Sequence, residues 1–436
     1  MKKRMILFFM VAVLSCAVIY AAGTQEGDAA AAAAPEEASG ELWVVYRAAV
    51  YHDLLFEPNL NEFTTANPKV KVTFQNIPHQ EYTYKLQLMF ASKNVPDVME
   101  TNLNQNYDFF ATQGLFMDLF PYVTRDSVPL SEFLQPLIDR SKQPGGLYFI
   151  PLDSHPGIAG MFYNKTLFDE AGVAYPTNTW TYEDLLEAAK KLTIRGEDGK
   201  TKQFGLEAPK DWVAVMSVLG SFGGGWIDEE GKKSLLSSPG SVEAYTWLYE
   251  LLHVHKVSPL PDQTLPNSFM VGQCAMHFAG PWEIGNTKAG MAEGYEVGIA
   301  PIPIGPEGRI SGGVNYGGFV VPSGAKNKEA GWQFVKWTIS DDMLYRVVEN
   351  GLNLTTKAKI NNMPEFVNDS WYKPYIDQLA TGDYRMSPIP ANSRVGEMRN
   401  TITQGFDTLW IGEKTVSEAI AEVEKNLQIV LDKPAP

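Results

Sequence analysis

The tightest constraint on the fold lies between residues 41 and 75. Glu41-Leu-Trp-Val-Val-Tyr46 is a short apolar run, residues 54–66 space Leu55, Leu60 and Phe63 along one helical face, and Asn67-Pro68 stops that pattern before Val70-Lys-Val-Thr-Phe-Gln75 alternates. Helical spacing between two runs of strand character predicts strand, helix, strand. Two strands joined through a helix pair in parallel, with the helix crossing back over the sheet, so the expected class is α/β. Farther on, residues 82–92 read as a helix and Pro96-Asp-Val-Met-Glu100 as the entry to another strand. Gly160-Met-Phe-Tyr-Asn164 reads as a strand feeding a helix over residues 165–171, and Thr181 with Asp184 three residues later resembles a capping box. Amphipathic spacing adds helices over residues 242–253, 328–339 and 416–431.

The segment from Phe269 to Trp282 reads as a buried strand that ends in Ala279-Gly-Pro and then presents an indole. A stiff Gly-Pro turn leaves Trp282 little freedom to lose, so the ring offers a platform for another flat apolar face.

Met1-Lys-Lys-Arg4 and the uncharged stretch up to Ala22 read as a secretory signal over residues 1–22, too short for a membrane span of ~20 apolar residues. Residues 23–40, rich in Ala, Glu and Pro, read as a disordered linker. Processing is open between ordinary cleavage after Ile19-Tyr-Ala-Ala22 and lipid attachment at Cys16. Leu14 fits the lipid route poorly, and apolar Ala17 to Tyr20 replace a polar tether, so ordinary cleavage is preferred. The product is exported in either case, periplasmic or at the cell surface. Among 436 residues only Cys16 and Cys274 are cysteine, so stability must come from large cores rather than disulfides. A net charge of −15 argues against nucleic acid and anionic lipid as partners.

No catalytic set, cofactor motif or metal site is evident. Gly220-Ser-Phe-Gly-Gly-Gly-Trp226 lacks the Gly-Lys-Ser/Thr ending of a phosphate loop and reads as a flexible cleft-side loop, and His253 and His255 face different ways on a helix. A secreted glycoside hydrolase would need two carboxylates roughly 5–9.5 Å apart across one bond. Asp53, Asp153 and Glu283 are raw material, but no pair stands out.

Eight short motifs occur in a telling order: Pro96-Asp-Val98, Gly114-Leu-Phe-Met-Asp-Leu119, Tyr163-Asn-Lys-Thr-Leu-Phe-Asp-Glu-Ala-Gly172, Thr179-Trp-Thr-Tyr-Glu183, Gly272-Gln-Cys-Ala-Met276, Gly280-Pro-Trp282, Gly317-Gly-Phe-Val-Val-Pro322 and Gly412-Glu-Lys-Thr-Val-Ser-Glu-Ala419. Together they resemble the extracellular solute-binding proteins of ABC importers, in the carbohydrate-binding family that includes maltose-binding protein. The resemblance implies a two-lobe periplasmic-binding-protein fold whose hinge-connected lobes exchange strands. Residues 41–150 and 315–357 would form lobe 1, and residues 151–314 and 358–430 lobe 2. It further implies a monomer that captures a saccharide between the lobes, without turnover, and hands it to ABC transporter permease subunits. A polyol, polyamine or peptide cargo on the same fold is the alternative.

In such sheets ligands sit at the carboxyl ends of strands. Candidate contacts are therefore Arg47, Tyr51 and Asp53 after the first strand, Asn102 and Asn104 after the third, and Asp153 and His155 at the expected lobe crossing. Trp226, Trp282, Glu283, Tyr316 and Arg394 complete the set. Aromatic faces would cover the C–H patches of a sugar while carboxylates, amides and guanidinium groups pair with its hydroxyls.

Overall fold

The computed structural model describes residues 37–47, 51–102, 107–381, 384–388, 392 and 394–434. The expected signal, both processing routes and most of the linker lie outside these residues. The linker's last residues are tied down rather than loose. Glu37 pairs with Lys69, Asn327 donates to the Ser39 carbonyl at 2.6 Å, and Gly40 already opens the first strand.

That strand, Gly40–Tyr46, pairs in parallel with Val70–Asn76 along its whole length and with Val98–Asn102 on its other side. The helix Glu57–Ala66 makes the crossover and turns Phe63 into the core, after a wide π-helical turn, His52–Phe56, that buries Leu55 and Phe56. The expected strand, helix, strand unit is thus present. Phe56 lies among the rings of Phe74, Phe319 and Phe334 at centroid distances of 6.2, 5.4 and 5.8 Å, which locks the helix onto the sheet.

Against Val98–Asn102 runs the long strand Arg309–Val320, antiparallel, followed by Ile150–His155 and the short Leu354–Thr355. The first half of the long strand has a different partner, Tyr384–Pro388, in parallel. A second, antiparallel sheet sets Gly160–Asn164 between Met276–Ala279 and Val297–Pro301. The lobe limits expected at 150/151 and 314/315 fall inside Ile150–His155 and Arg309–Val320.

Two sequence expectations need correction here. Only Met276–Ala279 of the segment from Phe269 to Trp282 is a strand. Before it the chain turns, with Gly272 at φ +77°, a conformation that interrupts an extended backbone; Phe269, Cys274 and Ala275 there are buried while Val271 is exposed. The glycine-rich run 220–226 is not a cleft-side loop either, because it packs on the start of helix Pro239–His253, where Gly225 N–H donates to the Ser241 hydroxyl at 3.0 Å.

The helix signals hold. Thr181 and Asp184 form the reciprocal capping box of Tyr182–Leu192, and Thr415 and Glu418 do the same for Val416–Leu431. The Pro96-Asp-Val98 motif gains a physical meaning. The buried Asp97 carboxylate accepts from the backbone N–H groups of Trp43 (3.0 Å), Lys326 (3.0 Å) and Asn327 (2.8 Å), joining the first strand to the start of helix Lys328–Thr338.

Candidate functional site

A cavity of about 470 Å³ opens at the strand ends of the large sheet. The volume lies within the roughly 300–1,000 Å³ range of small-ligand sites. Arg47, Tyr51, Glu100, Asp153, His155 and Gly317 line it with polar groups, together with Trp212, Trp282, Asn353 and Arg399.

Trp282 stands where the strand Met276–Ala279 ends, on the single turn Pro281–Glu283. Its six-membered ring folds back over Gly280, where a Cβ would come within 2.0–2.5 Å of it. Glycine is therefore what seats the indole. The ring stays half-buried, 4.3 Å from the His155 imidazole at 58° between planes. His155 Nδ1 accepts from Gly157 N–H at 3.1 Å, and burial, with Arg47 adding to it, holds the imidazole down to about 3, so the ring is neutral near pH 7.

Trp212 opens helix Trp212–Ser221, capped by the Asp211 carboxylate, which accepts from Val213 N–H (3.0 Å) and Ala214 N–H (3.2 Å). Its indole lies nearly parallel to Trp226 at 5.2 Å and carries the Arg399 guanidinium 5.9 Å above the ring. The protein mass around the cleft raises Asp211 even though its carboxylate remains open to solvent, while its two backbone bonds oppose the rise.

The polar wall is cross-braced. Tyr51 donates its hydroxyl to Asp153, which also accepts from Gly317 N–H at 3.0 Å. Burial raises both groups; the carboxylate beside it lifts Tyr51 further, whereas the Tyr51 bond holds Asp153 back. Arg47 pairs with Glu100 at 2.9 Å and donates to His79 Nδ1 at 3.0 Å. Burial and the charges of Arg47 and Arg399 lower His79 to about 4.

Of the candidates named from sequence, Arg47, Tyr51, Asp153, His155 and Trp282 meet in this cavity. The other described candidates do not line it. Asp53 projects into solvent beside His52 and Glu57, because residues two apart on a helical turn face different ways. Glu283 follows Trp282 in a turn that rotates successive side chains by about 120°, so it leaves the cavity. Tyr316 is buried on the opposite face of its strand from Gly317, its ring against Phe149 at 5.9 Å. Trp226 is buried behind Trp212, and Arg394 faces a neighbouring cavity, held by Glu397 and the Pro434 carbonyl. Asn102 is sealed in the sheet opposite Gly317, with neither amide atom bonded, while Glu100, two residues earlier on the same strand face, reaches the cavity. Asn104 lies outside the described residues.

Sequence reading missed Trp212, His79, Glu100 and Arg399. For Trp212 a signal existed: Asp211 is a good cap residue directly before an apolar run.

The model of the family described as bacterial extracellular solute-binding protein matches residues 52–343. The chain belongs to that family. Family membership makes it an exported binding protein. No helix of the described residues is long and apolar enough to cross a membrane. The maltotriose-binding protein of Pyrococcus abyssi is 23% identical over 385 residues, covering 86% of this chain and 80% of that protein. An ABC substrate-binding protein of Listeria monocytogenes in complex with cycloalternan superposes with TM-score 0.81 at 24% identity, covering 91% of this chain and all of that one. Maltose-bound T. maritima MalE3 gives TM-score 0.75 at 21% identity, covering 89% and 99%. The solute-binding protein accordingly has the two-lobe α/β fold of these structures, with strands exchanged between lobes.

Proposed function

We propose that this solute-binding protein captures a saccharide in the cleft at Trp212 and Trp282 and delivers it to the permease of an ABC importer. The observation that carries the reading is the pair of half-buried indoles lining one cavity together with a braced wall of hydrogen-bonding groups. Indole faces cover the C–H patches of a pyranose, and the polar wall pairs with hydroxyls that would otherwise be buried unsatisfied. The sugars in the names of the relatives above support the same class.

Binding occurs without turnover. Each carboxylate in the cavity is already engaged in holding the fold, since Glu100 holds Arg47, Asp153 holds Tyr51 and Gly317, and Asp211 caps a helix. The mature protein acts as a monomer, released by cleavage near Ala22 or tethered through Cys16. Residues 41–150 and 315–357 move as one lobe against residues 151–314 and 358–430, and the permease reads the closed form.

A thermal-shift and tryptophan-emission screen of saccharides, polyols, amines and peptides tests the reading. A saccharide should raise the melting temperature and change the emission. A response confined to polyamines or peptides would refute the saccharide assignment, and catalytic cleavage of a glycoside would refute the receptor assignment.

A further inference from the structure

The cavity just described and a neighbouring one of about 390 Å³ share two residues, His79 and Arg399, so the pair form one cleft with a waist. Thr83, Tyr84 and Gln87 wall the second cavity from helix His79–Ala91, and Arg394, Glu397 and Asn400 wall it from the other side. Tyr84 is 64% exposed there, an aromatic face at the rim.

The charged side chains of this double cleft are accounted for one by one. Arg47 has Glu100; Asp153 has the Tyr51 hydroxyl and an amide; Asp211 has two helix amides. Arg394 has Glu397 at 3.3 Å and the Pro434 carbonyl at 2.7 Å, and Glu397 also takes Lys433. Arg399 differs from the other two arginines. It lies over the Trp212 face, and no carboxylate or carbonyl among the described residues accepts from its guanidinium. Across the waist His79 accepts from Arg47 and feels the charges of both arginines, while the charge of Arg47 also bears on Arg399. Donors therefore converge on the waist from both sides, and Arg399 is the one guanidinium of the cleft without a carboxylate partner among the described residues.

Resting on the saccharide reading above, we propose that the ligand is an acidic oligosaccharide whose uronate carboxylate seats at this waist against Arg399, with sugar units extending into both cavities. A planar carboxylate matches the guanidinium fork through two parallel bonds, and its single charge balances one arginine, whereas a phosphate would bring about twice that charge. A hydroxyl could accept from Arg399 but would leave the charge standing.

The experiment is calorimetric titration of the mature full-length protein and its R399Q variant. The probes are tri- and tetrasaccharides of galacturonate, mannuronate and glucuronate, each alongside its carboxyl-reduced neutral counterpart, at low and high salt. One acid series should bind at least about tenfold tighter than its reduced counterpart, with the preference falling in salt and vanishing in R399Q. Reduced sugars binding as well as or better than the acids would overturn the acidic-ligand inference and leave the saccharide reading intact. A preference that persists in R399Q would overturn the role of Arg399. If none of these probes binds, the acidic-ligand inference falls, and the saccharide reading falls with it only if the broader saccharide screen is also silent.

Discussion

Replacing Gly280 with alanine isolates what seats the cleft tryptophan. The backbone there has φ −102° and ψ 172°, which any residue adopts, so the substitution carries no conformational strain of its own. The added methyl would instead lie 2.0, 2.2 and 2.5 Å from three carbons of the Trp282 ring, well inside contact distance, and the indole must leave its seat against His155. Overpacking of this kind costs about 1–3 kcal/mol. Urea unfolding of wild type, G280A, W282A and the double variant closes a cycle, with stability read from the midpoint at constant slope. Removing the indole gives the methyl space, so the double variant should be more stable than the sum of the singles predicts, by about 1–3 kcal/mol. Additivity within about 0.5 kcal/mol would show that ring and glycine do not meet, and the account of the Gly-Pro-Trp motif would fail.

Trp282→Ala should weaken saccharide binding by about 1–3 kcal/mol with the fold retained, as titration of the variant will show; unchanged affinity removes Trp282 from the site. Asp97→Ala leaves three part-buried amides without their acceptor and should lower unfolding stability by about 3 kcal/mol, with Asp97→Asn recovering part of it. His155 is held at about 3 in the folded protein against 6.5 when unfolded, so it supports stability above pH 6.5 and that support drains away as the pH falls toward 3. The melting temperature should therefore drop on acidification below pH 6.5, and less steeply in His155→Gln; identical slopes in both proteins would refute the assignment.

The sequence revealed what is decided locally. Caps at Thr181 and Thr415, the parallel unit over residues 41–75 and the Gly280-Pro-Trp282 turn all follow from neighbours in the chain. Site membership was harder because it turns on single-residue offsets. Tyr316 and Gly317 are adjacent on one strand, and alternation sends the first into the core and leaves the second at the cavity. Tyr51 and Asp53 part in the same way on a helical turn. Arg399 sits in mid-helix within Val395–Gly405, where nothing nearby marks it as different from a solvated surface residue. Only the packing of that helix beside Trp212 brings it to the cleft.

The long strand Arg309–Val320 changes register twice, between Gly312 and Val314 and between Gly317 and Gly318, and Gly313, inside the first break, adopts φ +73°. A ladder interrupted at two such places is locally disrupted and more strongly twisted there than along its regular stretches. Gly317, which lines the cavity and donates to Asp153, lies at the second of these breaks, so the floor of the cavity is set where the ladder is least regular.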